Sequence, residues 1–279
     1  MKAAKVIAVL SAGCLIAGTV LLACTEYGYR KGRQEYALLQ EKYISRTAGM
    51  EDADGSASGT TGLSTGRSSG EEESGILPAD APQPSVPDWG GLQEESGDIA
   101  GWIELPAVGI SYPVLQGEDN EIYLHHDIRG EYLFAGSIFL DSESSPSFRN
   151  LNTVIYGHNM RDGSMFARLK EYADSAVWEE CPYFWIYTPE ASILYRIGSV
   201  HTADASGSTY LIRFPDSRTY TDWLEQMLEC SALETGAQWT EEDRIVTLST
   251  CTGQDGQRWV VQGAKAAELG AQQKNTGNE

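Results

Sequence analysis

Residues 245–261 read IVTLSTCTGQDGQRWVV. The run Ile245-Val246-Thr247-Leu248-Ser249-Thr250 ends on Cys251, and Arg258 opens a second run, Arg258-Trp259-Val260-Val261. Thr252 to Gln257 between them has the composition of a turn, so the two runs are expected to be neighbouring antiparallel strands. Such a hairpin sets a thiol and a guanidinium side by side at its open end. A buried cysteine and a surface arginine would fit the same spacing, and spacing alone leaves both readings open.

Outward from the hairpin, short runs rich in β-branched and aromatic residues recur between Gly, Pro, Asp and Asn: WIELPAVGISYPVL from Trp102, SIFLD from Ser137, TVIYGHN from Thr153, YFWIYT from Tyr183 and ILYRIGSVHTA from Ile193. This pattern predicts an all-β barrel or sandwich. Two helices should interrupt it. Met165, Phe166, Leu169 and Tyr172 mark one over Gly163–Ala173, and Trp223, Met227, Leu228 and Cys230 mark another over Thr219–Leu233.

The N-terminal region is different in kind. Val6 to Cys24 is free of charge and follows Lys2 and Lys5. A run near 20 residues is long enough to cross the hydrocarbon layer as a helix, so residues 1–5 are expected as a cytoplasmic tail and 6–24 as an uncleaved transmembrane signal anchor. Leu21-Leu22-Ala23-Cys24 also resembles a lipobox, which would make Cys24 a lipidated first residue. Either way the remainder lies outside the cell. Residues 25–46 are rich in helix formers and are expected as a juxtamembrane helix. Residues 47–87 are dominated by Gly, Ser, Asp, Glu and Pro, with Arg67 the one cation. A segment of that composition cannot bury enough apolar surface to offset its ordering entropy, so it is expected to be a flexible acidic tether. The folded domain should then occupy 88–270, with 271–279 a disordered tail.

The 279 residues carry 20 Lys and Arg against 40 Asp and Glu. That balance argues against nucleic-acid binding, which needs clustered cations. Cys14 and Cys24 lie in the apolar run, which leaves Cys181, Cys230 and Cys251, not a disulfide framework. Cys181 and Cys230 are expected to be buried as small hydrophobes rather than paired. His158 stands where the run Thr153-Val154-Ile155-Tyr156 stops at Gly157, free to point into a cleft. Taken with Cys251 and Arg258 it completes a working set: a thiolate nucleophile, an imidazole that protonates a leaving amine, and a permanent cation beside an oxyanion. His125, His126 and Asp127 have no matching ligand set for a metal, and His201 is expected in a solvated polar loop. No metal or other cofactor is called for.

These motifs resemble the sortases, the membrane-anchored cysteine transpeptidases of Gram-positive bacteria, and class B in particular. Thr247-Leu248-Ser249-Thr250-Cys251, Arg258-Trp259-Val260-Val261 and Tyr156-Gly157-His158-Asn159-Met160 match in order and position. So do Gly101-Trp102-Ile103, Tyr112-Pro113-Val114, Asp119-Asn120-Glu121-Ile122-Tyr123-Leu124, Gly136-Ser137-Ile138-Phe139-Leu140-Asp141 and Ser164-Met165-Phe166. The resemblance covers about residues 88–266. It implies a closed eight-stranded β-barrel with flanking helices, the helix before the Cys-bearing strand being the class B addition. By the same carry-over Cys251 is the nucleophile, His158 the catalytic histidine and Arg258 the oxyanion-stabilising arginine. Asn120, Leu124, Tyr156 and Ser249 fall on substrate-groove positions, and Tyr210 and Leu211 on a looser match to the groove wall. The implied partners are a C-terminal sorting-signal peptide of a secreted protein and a peptidoglycan amine as acyl acceptor. The loop from Cys251 to Arg258 is short and the acidic spacer long for the family.

Two rival readings remain. A plain cysteine peptidase of the papain-like kind would place its Cys before its His, the reverse of the order here, and the caspase-like Cys signature is absent. A non-catalytic surface lipoprotein would need the lipobox and none of the Cys/His/Arg set.

Overall fold

The computed structural model describes residues 2–46, 76–251, 253 and 256–270; the side chains of residues 2–12, Arg46 and Cys251 lie outside the described set. In chain order the elements are α1 (Lys2–Tyr43), β1 (Ile44–Arg46), β2 (Ser85–Pro87), α2 (Trp89–Glu95), β3 (Ile99–Leu105), β4 (Ile110–Leu115), β5 (Ile138–Leu140) and β6 (Asn152–Tyr156). They continue with α3 (Ser175–Glu180), β7 (Tyr183–Tyr187), β8 (Ala191–Asp204), α4 (Ser217–Glu229), β9 (Ile245–Cys251) and β10 (Gln257–Gly270). Eight strands close into a barrel in the order β10-β8-β7-β3-β4-β5-β6-β9. Closure removes the free edges that an open sheet of such apolar strands would expose.

The direction of three strands decides where chemistry can occur. β6 and β9 are parallel, with Tyr156 opposite Ser249, so both end at the same rim of the barrel. β10 is antiparallel to β9 and begins at that rim, with Arg258 opposite Cys251. The core packs on both faces of the barrel wall and includes Trp102, Ile103, Leu115, Phe166, Phe184, Leu194 and Leu248, all essentially without solvent contact.

α4 lies over a second apolar cluster made of Tyr220, Trp223, Leu224 and Met227 with Ile245 and Ala264. Its N-terminus is capped by Asp216, whose carboxylate accepts from the Thr219 amide at 2.8 Å. The Trp223 indole donates to the Ser208 carbonyl at 2.8 Å, and Asn152 Nδ2 donates to the Thr209 and Leu211 carbonyls. The segment before α4 is thereby strapped to β6.

Several expectations change. Gly163–Ala173 is a loop followed by a 3-10 helix over Ala167–Ala173, because the Phe166 amide is taken by the His158 carbonyl and Met165 has positive φ. α3 follows it unannounced. α4 stops at Glu229, short of the expected Leu233. His201 is not in a solvated loop: it lies within β8, 4% exposed. Cys230 is exposed rather than buried, and Cys181 is half-buried.

The junction near residues 76–87 also differs from a free tether. β7 holds that stretch with three aromatic side chains: Trp185 Nε1 donates to Pro82 O, Tyr183 OH to Asp80, and Tyr187 OH accepts from the Ser85 amide. β2 then pairs with β1, Arg46 opposite Ser85 and Ile44 opposite Pro87. Of the tether expected over 47–87, residues 47–75 lie outside the described residues, as does the tail over 271–279. The Val6–Cys24 run falls within α1, and among the described residues no helix is long and apolar enough to cross a membrane.

Candidate active site

His158 follows β6 by two residues, and Gly157 between them is tied to β9 through its amide on the Ser249 carbonyl at 3.1 Å. A side chain at position 157 would collide with Ile138 and Phe166, so only glycine lets β6 run so close to the core before turning out. The His158 ring is held on one side by a 2.7 Å bond between Nε2 and the Leu124 carbonyl. A carbonyl can only accept, so Nε2 carries the hydrogen and Nδ1 is the nitrogen left to titrate. The His125 ring stacks on the other side, centroids 5.7 Å apart. Burial lowers the pKa of His158 below the usual histidine value; the Leu124 bond opposes that and His125 adds to it. At neutral pH the resting imidazole is therefore uncharged.

Beside it lies a hollow of about 240 Å³, lined by Asn120, Leu124, Phe139, Tyr156, Tyr210, Ser249 and Arg258, with Gly157, His158, Ala205 and Thr250 completing the wall. The aromatic wall is one stack: Phe139 against Tyr156 at 5.4 Å and Tyr156 against Tyr210 at 6.1 Å. Each phenol is pinned. Tyr156 OH donates to Asp141 Oδ2 at 3.0 Å, and Tyr210 OH is 2.8 Å from the Ser249 hydroxyl. Asp141 also accepts from Asn120 Nδ2 at 2.9 Å, and Asn120 Oδ1 accepts from the Ser142 amide, which fixes the orientation of the Asn120 amide. Arg258 bonds its own neighbour, the Gln257 carbonyl, at 3.0 Å, and its charge is felt at the Tyr156 phenol.

Asn120, Leu124, Tyr156, Ser249, Tyr210, His158 and Arg258 thus share one cavity. The Cys251 backbone stands at its edge, next to Thr250 and opposite Arg258. Leu211 is not among the lining residues: it is 44% exposed, and its role is the carbonyl that Asn152 holds. Sequence reasoning missed Asp141, although it closes the Gly136–Asp141 motif; its value depends on two partners distant in sequence, Asn120 and Tyr156. It also set His125 aside, because stacking between rings on separate segments, His125 on His158, leaves no trace in spacing. Among the described residues no three His, Cys, Asp or Glu are grouped to hold a metal.

Comparisons with known proteins agree with this arrangement. The Sortase domain family model matches residues 103–266. Sortase B of Listeria monocytogenes is 37% identical over 175 residues, 62% of this chain and 71% of that protein. The crystal structure of sortase B from B. anthracis superposes with a TM-score of 0.65 at 29% identity, covering 86% of this chain and 99% of that one. A Staphylococcus aureus sortase B–substrate complex superposes with a TM-score of 0.61 at 28% identity over 64% of this chain and 84% of that one. With a closed barrel of this topology, a His and an Arg converging beside the strand that ends on Cys251, and relatives of this closeness, the chain belongs to the sortase family, in class B, and is a cysteine transpeptidase.

Proposed function

We propose that the protein is anchored in the cell membrane by a single N-terminal span, and that outside the cell it cleaves a C-terminal sorting signal of secreted proteins and transfers them to a peptidoglycan amine. The observation that carries the reading is the shared cavity of His158, Arg258, Asn120 and Tyr156 at the end of the Cys251 strand. The S. aureus relative is solved as a substrate complex, which supports a substrate-binding role for such a groove. The charge-free run Val6–Cys24 supports the anchor.

The chemistry follows from the three side chains. The Cys251 sulfur attacks the scissile carbonyl, and the Arg258 guanidinium balances the charge that develops on its oxygen. His158 is neutral at rest, so it gains a proton, at Nδ1, before it can give one. The Cys251 thiol supplies that proton as it attacks, and His158 passes it to the departing amine. A thioester remains. An incoming amine then attacks the thioester, His158 takes the proton from that amine and passes it to the departing sulfur, and the Cys251 thiol and neutral His158 are restored.

Intact-mass measurement of the full chain incubated with a panel of sorting-signal peptides tests this directly. The expected result is an acyl adduct on Cys251, absent from Cys251→Ala, whose turnover to amide product rises with added amine. An adduct resolved by water at a rate indifferent to amine would overturn transpeptidation in favour of a peptidase.

A further inference from the structure

α1 is one helix from Lys2 to Tyr43, and its C-terminal half is part of the domain wall. Gly28 lies against Phe134, Gly32 against Ala135, Tyr36 donates to the Gly136 carbonyl at 2.7 Å, and the Tyr43 carbonyl accepts from the Asp88 amide. Arg33 pairs with Asp162, and Arg129 bridges Glu35 and Glu95. The helix therefore lies along the barrel in a fixed direction, meeting the loop at 132–136 first and α2 last. The stretch 47–75 has no part in this distance, because its flanks return to one another in the β1–β2 pair.

We infer that the loop carrying Tyr132 and Phe134 rests in the lipid headgroup layer of the membrane that α1 enters, so that the catalytic rim opens at the bilayer surface. This rests on the anchor reading above. At 1.5 Å per residue the contact at Gly28 is about 6 Å beyond Cys24, the end of the charge-free run. The headgroup layer is itself about 5–7 Å deep on each side. What α1 and the 132–136 loop present at that height suits it: Tyr27, Tyr132 and Phe134 are 70%, 65% and 42% exposed, and Tyr29 packs edge-on to Phe134 at 5.6 Å. Amphipathic aromatics favour this layer. Arg30 and Lys31 are exposed on the same stretch of helix, where they complement anionic lipid. Tyr132 is 6.3 Å from the His125 ring, which stacks on His158, so the rim and the lipid-facing loop are neighbours.

The test places a photoreactive benzophenone side chain at position 10, 132 or 190 of the full chain in vesicles of phosphatidylcholine and phosphatidylglycerol. Lipid adducts are then read by mass. The expected pattern is adduct at 10 and 132 and none at 190, which lies at the opposite end of the barrel. Adduct at 10 without adduct at 132 overturns the apposition and leaves the anchor intact. No adduct at 10 overturns the anchor and the apposition together, and adduct at all three overturns a specific face. In Gly32→Leu, whose side chain meets the Ala135 Cβ only 3.1 Å from its own, adduct at 132 should be lost while adduct at 10 stays. Its persistence would overturn the role of α1 as the strut.

Discussion

Tyrosine and histidine each serve twice in this barrel, once at the groove and once where the protein is closed. At the groove, Tyr156 and Tyr210 spend their hydroxyls on Asp141 and Ser249 and leave their ring faces to line the hollow. In the seam beneath α1, Tyr36 is 3% exposed, its hydroxyl donates to Gly136 O and lies 2.9 Å from the Ser137 hydroxyl, and its ring meets Tyr112 edge-on. Likewise His158 lines the groove and binds a carbonyl through one nitrogen, whereas His201 is enclosed in β8. The same residue types build a reactive surface or a packed interior according to whether one face is left without a neighbour.

Mutations should separate the two regions, and the largest effect belongs to the groove. His158→Gln and Arg258→Lys should each lower transpeptidation by about 10²–10⁴-fold, the range for loss of a general acid or of an oxyanion donor. Their urea midpoints should stay close to the parent, because Arg258 bonds the carbonyl of its own neighbour and His158→Gln retains a donor for the Leu124 carbonyl. Activity near the parent in either variant would remove that residue from the mechanism. A shifted midpoint would show that groove and interior are not separable.

The seam should answer in reverse. Tyr36→Ala removes a buried ring and should cost about 3 kcal/mol of unfolding free energy, while Tyr36→Phe loses only the hydroxyl contacts and should cost about 1 kcal/mol. Both are read by urea unfolding of the detergent-solubilised full chain, with kcat on a peptide substrate unchanged. Equal costs for the two variants would mean that the hydroxyl, not the ring, holds α1 in place.

Legibility in the sequence followed the range of the interactions. The hairpin of Cys251 and Arg258, the strand end at His158 and the apolar alternation of the walls are local patterns; the all-β class and the grouping of His158 with Arg258 were readable from them, and the closed barrel through the family resemblance. The seam was not: the helical spacing of Tyr36, Leu39 and Tyr43 marks an apolar stripe but not its partner, which lies about a hundred residues away at Gly136 and Ser137. The stretch 76–87 reads as linker by composition, yet three aromatics of β7 capture its backbone. Asp141 joins Asn120 and Tyr156 only through the fold.

His201 gives the smallest effect and the clearest contrast with His158. The Ser199 hydroxyl donates to the Met227 carbonyl at 2.6 Å, so its oxygen accepts from His201 Nδ1–H at 3.0 Å. Nε2 then holds the lone pair, buried and without a hydrogen-bond partner. Protonation there would create a buried charge with no acceptor, and burial accordingly pushes the pKa from 6.5 down to about 4. Above pH 6.5 the ring is neutral in both folded and unfolded chains, and its contribution to stability is fully present. Between 6.5 and 4 the unfolded chain binds a proton that the native protein refuses, so stability falls with pH by up to roughly 1.4 kcal/mol per unit. Below 4 the loss levels off. The difference in unfolding free energy between the parent and His201→Gln, which retains a donor for Ser199, should therefore be flat above pH 6.5 and slope against the parent down to pH 4. A flat difference throughout would mean that the ring charges in the native barrel, and that the β8 wall is as open to protons as the groove.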